Sequence, residues 1–197
     1  MQDFDFIEIG TSCYETLCES CSDNEKGISV EPIKIYLDKL SDKPNVIKVN
    51  SAITANRSNN TIEMYYLSDD YVDDHSLSNG FRGLNNIYGI HPAIKNGYHE
   101  YFVEKIEVPL MNIDELLINN NVRGIGFLKI DTEGHDCVIL GGLFQYLLKK
   151  DISFYPKKIQ FESNHLIDPK DVDKIIDDFS KLGYKVQERG HDTILIL

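Results

Sequence analysis

The sequence predicts an α/β protein built on a mainly parallel, seven-stranded sheet that closes in an antiparallel hairpin. Three observations carry that prediction. The first is the run Gly126-Phe-Leu-Lys-Ile-Asp131-Thr-Glu133-Gly134-His135-Asp136. It reads as a strand buried on both faces, running into acids and then a helix. The second is the alternation of short apolar runs with helical stretches from residue 4 to residue 50, the pattern of βαβ units. The third is the chain end, where two strand-like runs are separated by a Gly-His-Asp turn too short for a parallel crossover.

In order, residues 4–9 predict a first strand, and Gly10-Thr11-Ser12 turns into a helix from about Cys13 to Ser22 with Thr or Ser as its cap. Gly27–Glu31 is a second strand, and Pro32 opens a helix to about Leu40, since proline suits a first helical position. Asn45–Asn50 is a third strand. An insertion around 54–110 then interrupts the pattern. Its polar start leads to a strand at Thr61–Leu67, an aperiodic stretch over 69–104 and a further strand at 104–110. The aromatic and apolar residues of that stretch fit an ordered cover over a site. A short helix spans Ile113 to about Asn120, and a longer one runs from Cys137 to Lys149. Lys158–Glu162 is a strand, and Asp168-Pro169 starts a helix with one apolar face that Gly183 stops. The hairpin pairs 184–189 with 193–197, and the whole chain, 1–197, reads as one domain.

Composition narrows the partners. With 20 basic against 32 acidic side chains, a net charge of −12 and no basic stripe, the chain is ill suited to neutralise phosphates, so no nucleic acid is expected. No apolar run approaches a membrane span, and the N-terminus lacks the regions of a secretory signal, so the expected location is cytoplasmic. Cys18 and Cys21 have redox or zinc spacing, but no second pair completes a metal set. Reduced, packed cysteines are the expectation, and no metal ligands are assigned.

Phe-Leu-Lys-Ile-Asp131-Thr-Glu133-Gly134 resembles the signature of the FkbM-type methyltransferases, within the class I methyltransferase superfamily and its Rossmann-like fold. Phe6-Ile-Glu8-Ile-Gly10-Thr11, Val30-Glu31-Pro32 and Asn50-Ser51-Ala52 fall at the intervals that family shows. Cys13-Tyr14 stand where its first loop usually carries a second glycine. The resemblance implies S-adenosylmethionine as methyl donor and O-methylation of a small hydroxylated acceptor, with carbohydrate the usual territory.

Each residue has two readings. Glu31 is either a solvated strand-end acid or, as the resemblance implies, the acceptor of both ribose hydroxyls, with Pro32 beside it. Glu8, Gly10, Thr11 and Ser12 form either an ordinary turn or the backbone that meets the cofactor's carboxylate at a helix start. Ser51 and Ala52 either pack a strand end or let the adenine lie on the backbone. Asp131 and Glu133 either stabilise a helix N-terminus or belong to the cofactor site, where Asp131 holds the cofactor's ammonium or orients the acceptor. His135 is the first candidate base, followed by Asp131 and His91, and Glu162 is a candidate to face the acceptor. Two alternatives stand beside this: a Mg2+-assisted enzyme using Asp131 with other acids, and a non-catalytic module of the same fold.

Overall fold

The computed structural model describes residues 1–197. Its main sheet holds seven strands in the spatial order β3-β2-β1-β7-β8-β10-β9. These are β1 (Gln2–Ile9), β2 (Gly27–Val30), β3 (Val46–Val49), β7 (Val122–Ile130), β8 (Lys158–Glu162), β9 (Lys185–Arg189) and β10 (Asp192–Ile196). Only β10 runs against its neighbours, pairing antiparallel with both β8 and β9. The predicted mainly parallel sheet and terminal hairpin are therefore both present. The chain winds outward from β1 to β2 and β3, then returns to pair β7 on the other side of β1. That reversal creates the crevice beyond the strands' carboxyl ends where such sheets bind ligands.

The return path is a second, three-stranded sheet: β4 (Ala52–Thr54), β5 (Thr61–Leu67) and β6 (Val103–Asn112), in the order β4-β6-β5. Here the sequence reading needs correction. Ser51 and Ala52 do not simply trail the third strand, because Ala52 opens β4 and pairs with Leu110. The aperiodic stretch also contains short helices, α3 (Asp69–Asp74) and α4 (Pro92–Asn96). Asp69 and Asp73 both bind the buried Arg82 guanidinium, Asp69 Oδ1 at 2.6 Å and Asp73 Oδ1 at 2.5 Å. The four cysteines are free, and no helix is long and apolar enough to cross a membrane.

Alternate apolar residues of the main sheet, such as Ile7, Ile9, Leu128, Ile130, Ile159 and Phe161, are buried. They share one core with α5 (Ile113–Asn119), α6 (Asp136–Leu147) and α7 (Pro169–Lys181). α7 follows its sequence signals closely. Asp168 caps it by accepting from Lys170 N at 2.9 Å, Pro169 sits in its first turn, and Gly183 takes the left-handed φ of +101° that ends it.

The first two helices are shorter than their sequence signals. Ser12 and Glu15 adopt left-handed φ values of 50° and 52°, which no helix accommodates. Helix α1 therefore covers only Leu17–Ser20, started by Thr16, whose hydroxyl accepts from Glu19 N. Helix α2 covers Lys34–Lys39, with Pro32 ahead of it.

Candidate functional site

A cavity of about 500 Å³ opens at the carboxyl ends of β1, β2 and β7, walled on its far side by the second sheet. That size suits a small organic ligand. Gly10, Thr11, Ser12, Glu31, Pro32, Ser51 and Ala52 line one end; Asp131, Glu133 and His135 line the other. Ten of the thirteen residues singled out in the sequence thus line one cavity. Glu8, His91 and Glu162 do not reach it.

Glu8 lies beneath the floor. It is 0% exposed, receives Leu17 N at 2.8 Å and holds Lys129 Nζ at 3.0 Å. Burial pushes its carboxyl upward, against the pull of Lys129. It fixes the first loop from below and has no surface to offer a ligand. Lys129 itself does line the cavity, and sequence reasoning passed over it. The signal was there: a charged residue inside the apolar run Phe127–Ile130, in register with Glu8 across β1 and β7.

Glu31 stands at the end of β2, 2% exposed, with Oε2 accepting from Ser12 N at 2.7 Å and Oε1 from Ile33 N at 2.9 Å. Burial raises its pKa to about 7, with the two amides working against that rise. Each oxygen keeps a second lone pair for an incoming hydroxyl. The expectation that the Gly10–Ser12 amides face the cofactor does not hold. Gly10 N and Thr11 N donate to Val30 O, and Ser12 N to Glu31. The amides of Tyr14 and Glu15, residues that also line the cavity, have no partner within the protein. Gly10 is required for a different reason. Its φ is +83°, and a Cβ there would fall 1.8 Å from Asp131 O, so β1 and β7 could not close together at the cavity floor.

At the other end, the turn after β7 is held from three sides. Glu133 takes a left-handed φ of 53°, and its carbonyl accepts from Asn86 Nδ2 of the insertion at 2.9 Å. His91 is buried behind it, with Nδ1 accepting from Ala93 N and Nε2 3.1 Å from Glu133 Oε2, off the line of a hydrogen bond. His91 thus supports Glu133 and does not meet a ligand. Asp136, 0% exposed, receives the Thr132 hydroxyl at 2.7 Å and Glu162 N at 3.2 Å, so it ties the turn to α6 and β8. Burial raises it to about 6. Asn86 and Asp136 were also missed. Asn86 lies in a stretch without periodicity, whereas Asp136 stands four residues after Thr132, the spacing of facing helical neighbours.

Asp131 has no hydrogen bond from the protein to its side chain; its nearest cation is Lys129 Nζ at 3.9 Å. Its side chain is 44% exposed, but into a concave cavity whose walls displace much of the surrounding water. That desolvation, with Asp136, Glu133 and Asp192 adding to it and Lys129 opposing, raises its pKa to about 7. Glu162 is 7% exposed, and burial with the nearby acids raises it to about 9. His135 is lowered to about 4 by burial, which keeps the ring neutral near pH 7. Its Nε2 lies 3.1 Å from Thr54 Oγ1 and its Nδ1 contacts the Tyr88 hydroxyl. Both ring nitrogens are therefore engaged.

Among known protein families, the Methyltransferase FkbM domain matches residues 8–186 of the chain. No curated protein and no solved structure matches it.

Proposed function

The chain belongs to the FkbM methyltransferase family, and from that premise we propose an S-adenosylmethionine-dependent O-methyltransferase whose acceptor is a small hydroxylated molecule, a sugar or sugar-like metabolite. The sheet, mostly parallel with antiparallel C-terminal strands, is that of a Rossmann-like methyltransferase. The observation that carries the proposal is the cavity at the sheet's reversal point, with Glu31 at one end and the Asp131–Glu133 turn at the other.

The donor supplies an activated methyl group: it passes to the acceptor oxygen as the carbon–sulfur bond breaks, and the hydroxyl proton leaves to a base. The protein's part is placement. Glu31, fixed by two amides, has the free lone pairs to accept ribose hydroxyls. Small residues at Ser51 and Ala52 leave room for a flat ring. The unpaired amides of Tyr14 and Glu15 fit the donor's carboxylate better than those of Gly10–Ser12. Asp131 is favoured as base over His135, because its oxygens carry no protein hydrogen bond while both nitrogens of His135 are engaged. Four free cysteines support a reducing, cytoplasmic setting.

Calorimetric titration with S-adenosylmethionine and S-adenosylhomocysteine tests the reading. Binding of about −8 kcal/mol, micromolar, that Glu31→Ala weakens by about tenfold or more is expected. Absence of binding to either ligand by the folded wild-type protein overturns it in favour of a non-catalytic module, a reading for which Cys13-Tyr14 in the first loop is the motive.

A further inference from the structure

Asp131 and Glu133 follow β7, and Glu162 ends the adjacent strand β8, so the sheet register alone brings the three carboxylates to one point. One oxygen of each lies within 4.8 Å of an oxygen of both others. Acids gathered at a strand edge carry little meaning when water or protein donors satisfy them. Here one of them is not satisfied. Glu162 is 7% exposed, its Oε1 takes the Asn164 amide, and its Oε2 is shut away from solvent with no hydrogen-bond partner. A buried acceptor without a donor is rare, because it forfeits its hydration for nothing. The nearest protein cation, Lys129, is 3.9 Å from Asp131 and already bonded to Glu8 at 3.0 Å. The cluster therefore gathers more carboxylates than the protein supplies cations to pair with.

We propose that Asp131, Glu133 and Glu162 bind one hard divalent cation, of the Mg2+, Mn2+ or Ca2+ kind, in the wall of the cavity. All three donors are carboxylate oxygens, the ligand type such ions select, and no thiolate is among them. Opposite ligands stand about 4.0–4.2 Å apart around Mg2+ and about 4.6–5.2 Å around Ca2+, so oxygens within 4.8 Å need only small side-chain rotations. Their support is built as metal ligands' support usually is. The buried His91 ring backs Glu133, Asn86 fixes its carbonyl, and Asn164 orients Glu162. Three protein ligands leave coordination positions open toward the cavity that Asp131 and Glu133 line. The ion's role there rests on the methyl-transfer reading. It would hold acceptor hydroxyls and ease loss of their proton, with the second oxygen of Asp131 free to take it.

The test reads metal directly. Protein stripped with EDTA and desalted is titrated with MnCl2, and free Mn2+ is followed by electron paramagnetic resonance. One saturable site is expected, displaced by excess MgCl2 or CaCl2 and weakened about tenfold or more in Glu162→Gln and in Glu133→Gln. Asp38→Asn, which alters an exposed acid paired with Lys34, should leave it unchanged. Absence of saturable Mn2+ binding in the wild type, or equal binding in the variants, overturns the proposal. Should Glu162→Gln fail to fold by circular dichroism, Glu133→Gln, altered at the turn, still decides. Titration with S-adenosylmethionine in EDTA separates the two readings. Donor binding without Mn2+ binding removes only the metal site, and Mn2+ binding without donor binding removes only the methyltransferase.

Discussion

At the β1–β2 end of the cavity, Glu8 and Glu31 are buried with a donor at every carboxylate oxygen, two backbone amides for Glu31, an amide and an ammonium for Glu8. At the β7–β8 end, Asp131 has no hydrogen bond to its side chain and Glu162 has an oxygen with no donor. Glu162, 7% exposed, is nearly as buried as Glu31 at 2%, so burial alone does not distinguish the two ends. Satisfaction does. A buried carboxylate with its donors in place is part of the scaffold that orients a ligand, and one without them is poised to be completed by a ligand.

The comparison breaks first at Gly10, the point where the two ends touch. Gly10→Ala puts a methyl group where Asp131 O already stands, on a backbone with φ +83°. A loss of about 4 kcal/mol or more, or failure to fold, is expected in urea denaturation. Near-normal stability would mean that the strands do not close there.

Glu8→Ala tests the satisfied end. It strips Lys129 of its close partner, leaves Leu17 N without an acceptor and should destabilise the protein by about 3 kcal/mol. Because Lys129 is then free to turn to Asp131, the same variant should also weaken Mn2+ binding. A change in stability with no change at the acid cluster would show that the two ends are independent.

The smallest effect sharpens the contrast through pH. Glu31, Asp131, Asp136 and Glu162 all have folded pKa values raised above the ordinary carboxylate range, to about 7, 7, 6 and 9. A raised carboxylate binds more protons folded than unfolded, so its contribution is fully present below the unfolded pKa, near 4.5 for Glu, and is lost as pH rises through the folded value. In EDTA, Tm should therefore fall steadily from about pH 5 to pH 9. Glu162→Gln should flatten the upper part of that fall, raising Tm at pH 8 by about 2–4 °C for each kcal/mol recovered. A wild-type Tm that instead rises over this range would contradict the picture of desolvated acids.

Much of the fold was legible because its signals are local. The apolar run before Asp131, the Asp168-Pro169 start and Gly183 stop of α7, and the short turn between β9 and β10 each report on a few adjacent residues. The early helices were less legible, because left-handed Ser12 and Glu15 are non-glycine residues whose own types do not announce that conformation. The site divided along the same line. Glu31 and the Asp131–Glu133 turn were recoverable from strand ends. The buried role of Glu8, the reach of His91 and the engagement of His135 by Thr54 and Tyr88 were not. Each depends on an element distant in sequence.

By itself, then, the sequence determined the family, the mainly parallel sheet and which strand ends bear the acids, since periodicity, turn chemistry and motif spacing are written along the chain. Only the tertiary structure decided which of those acids keep a partner. Glu31 meets Ser12 through a folded-back loop, while Glu162 arrives beside Asp131 and Glu133 through the pairing of β7 with β8. Hydrogen bonding and charge act over a few ångströms of space, and separation along the chain does not measure that distance.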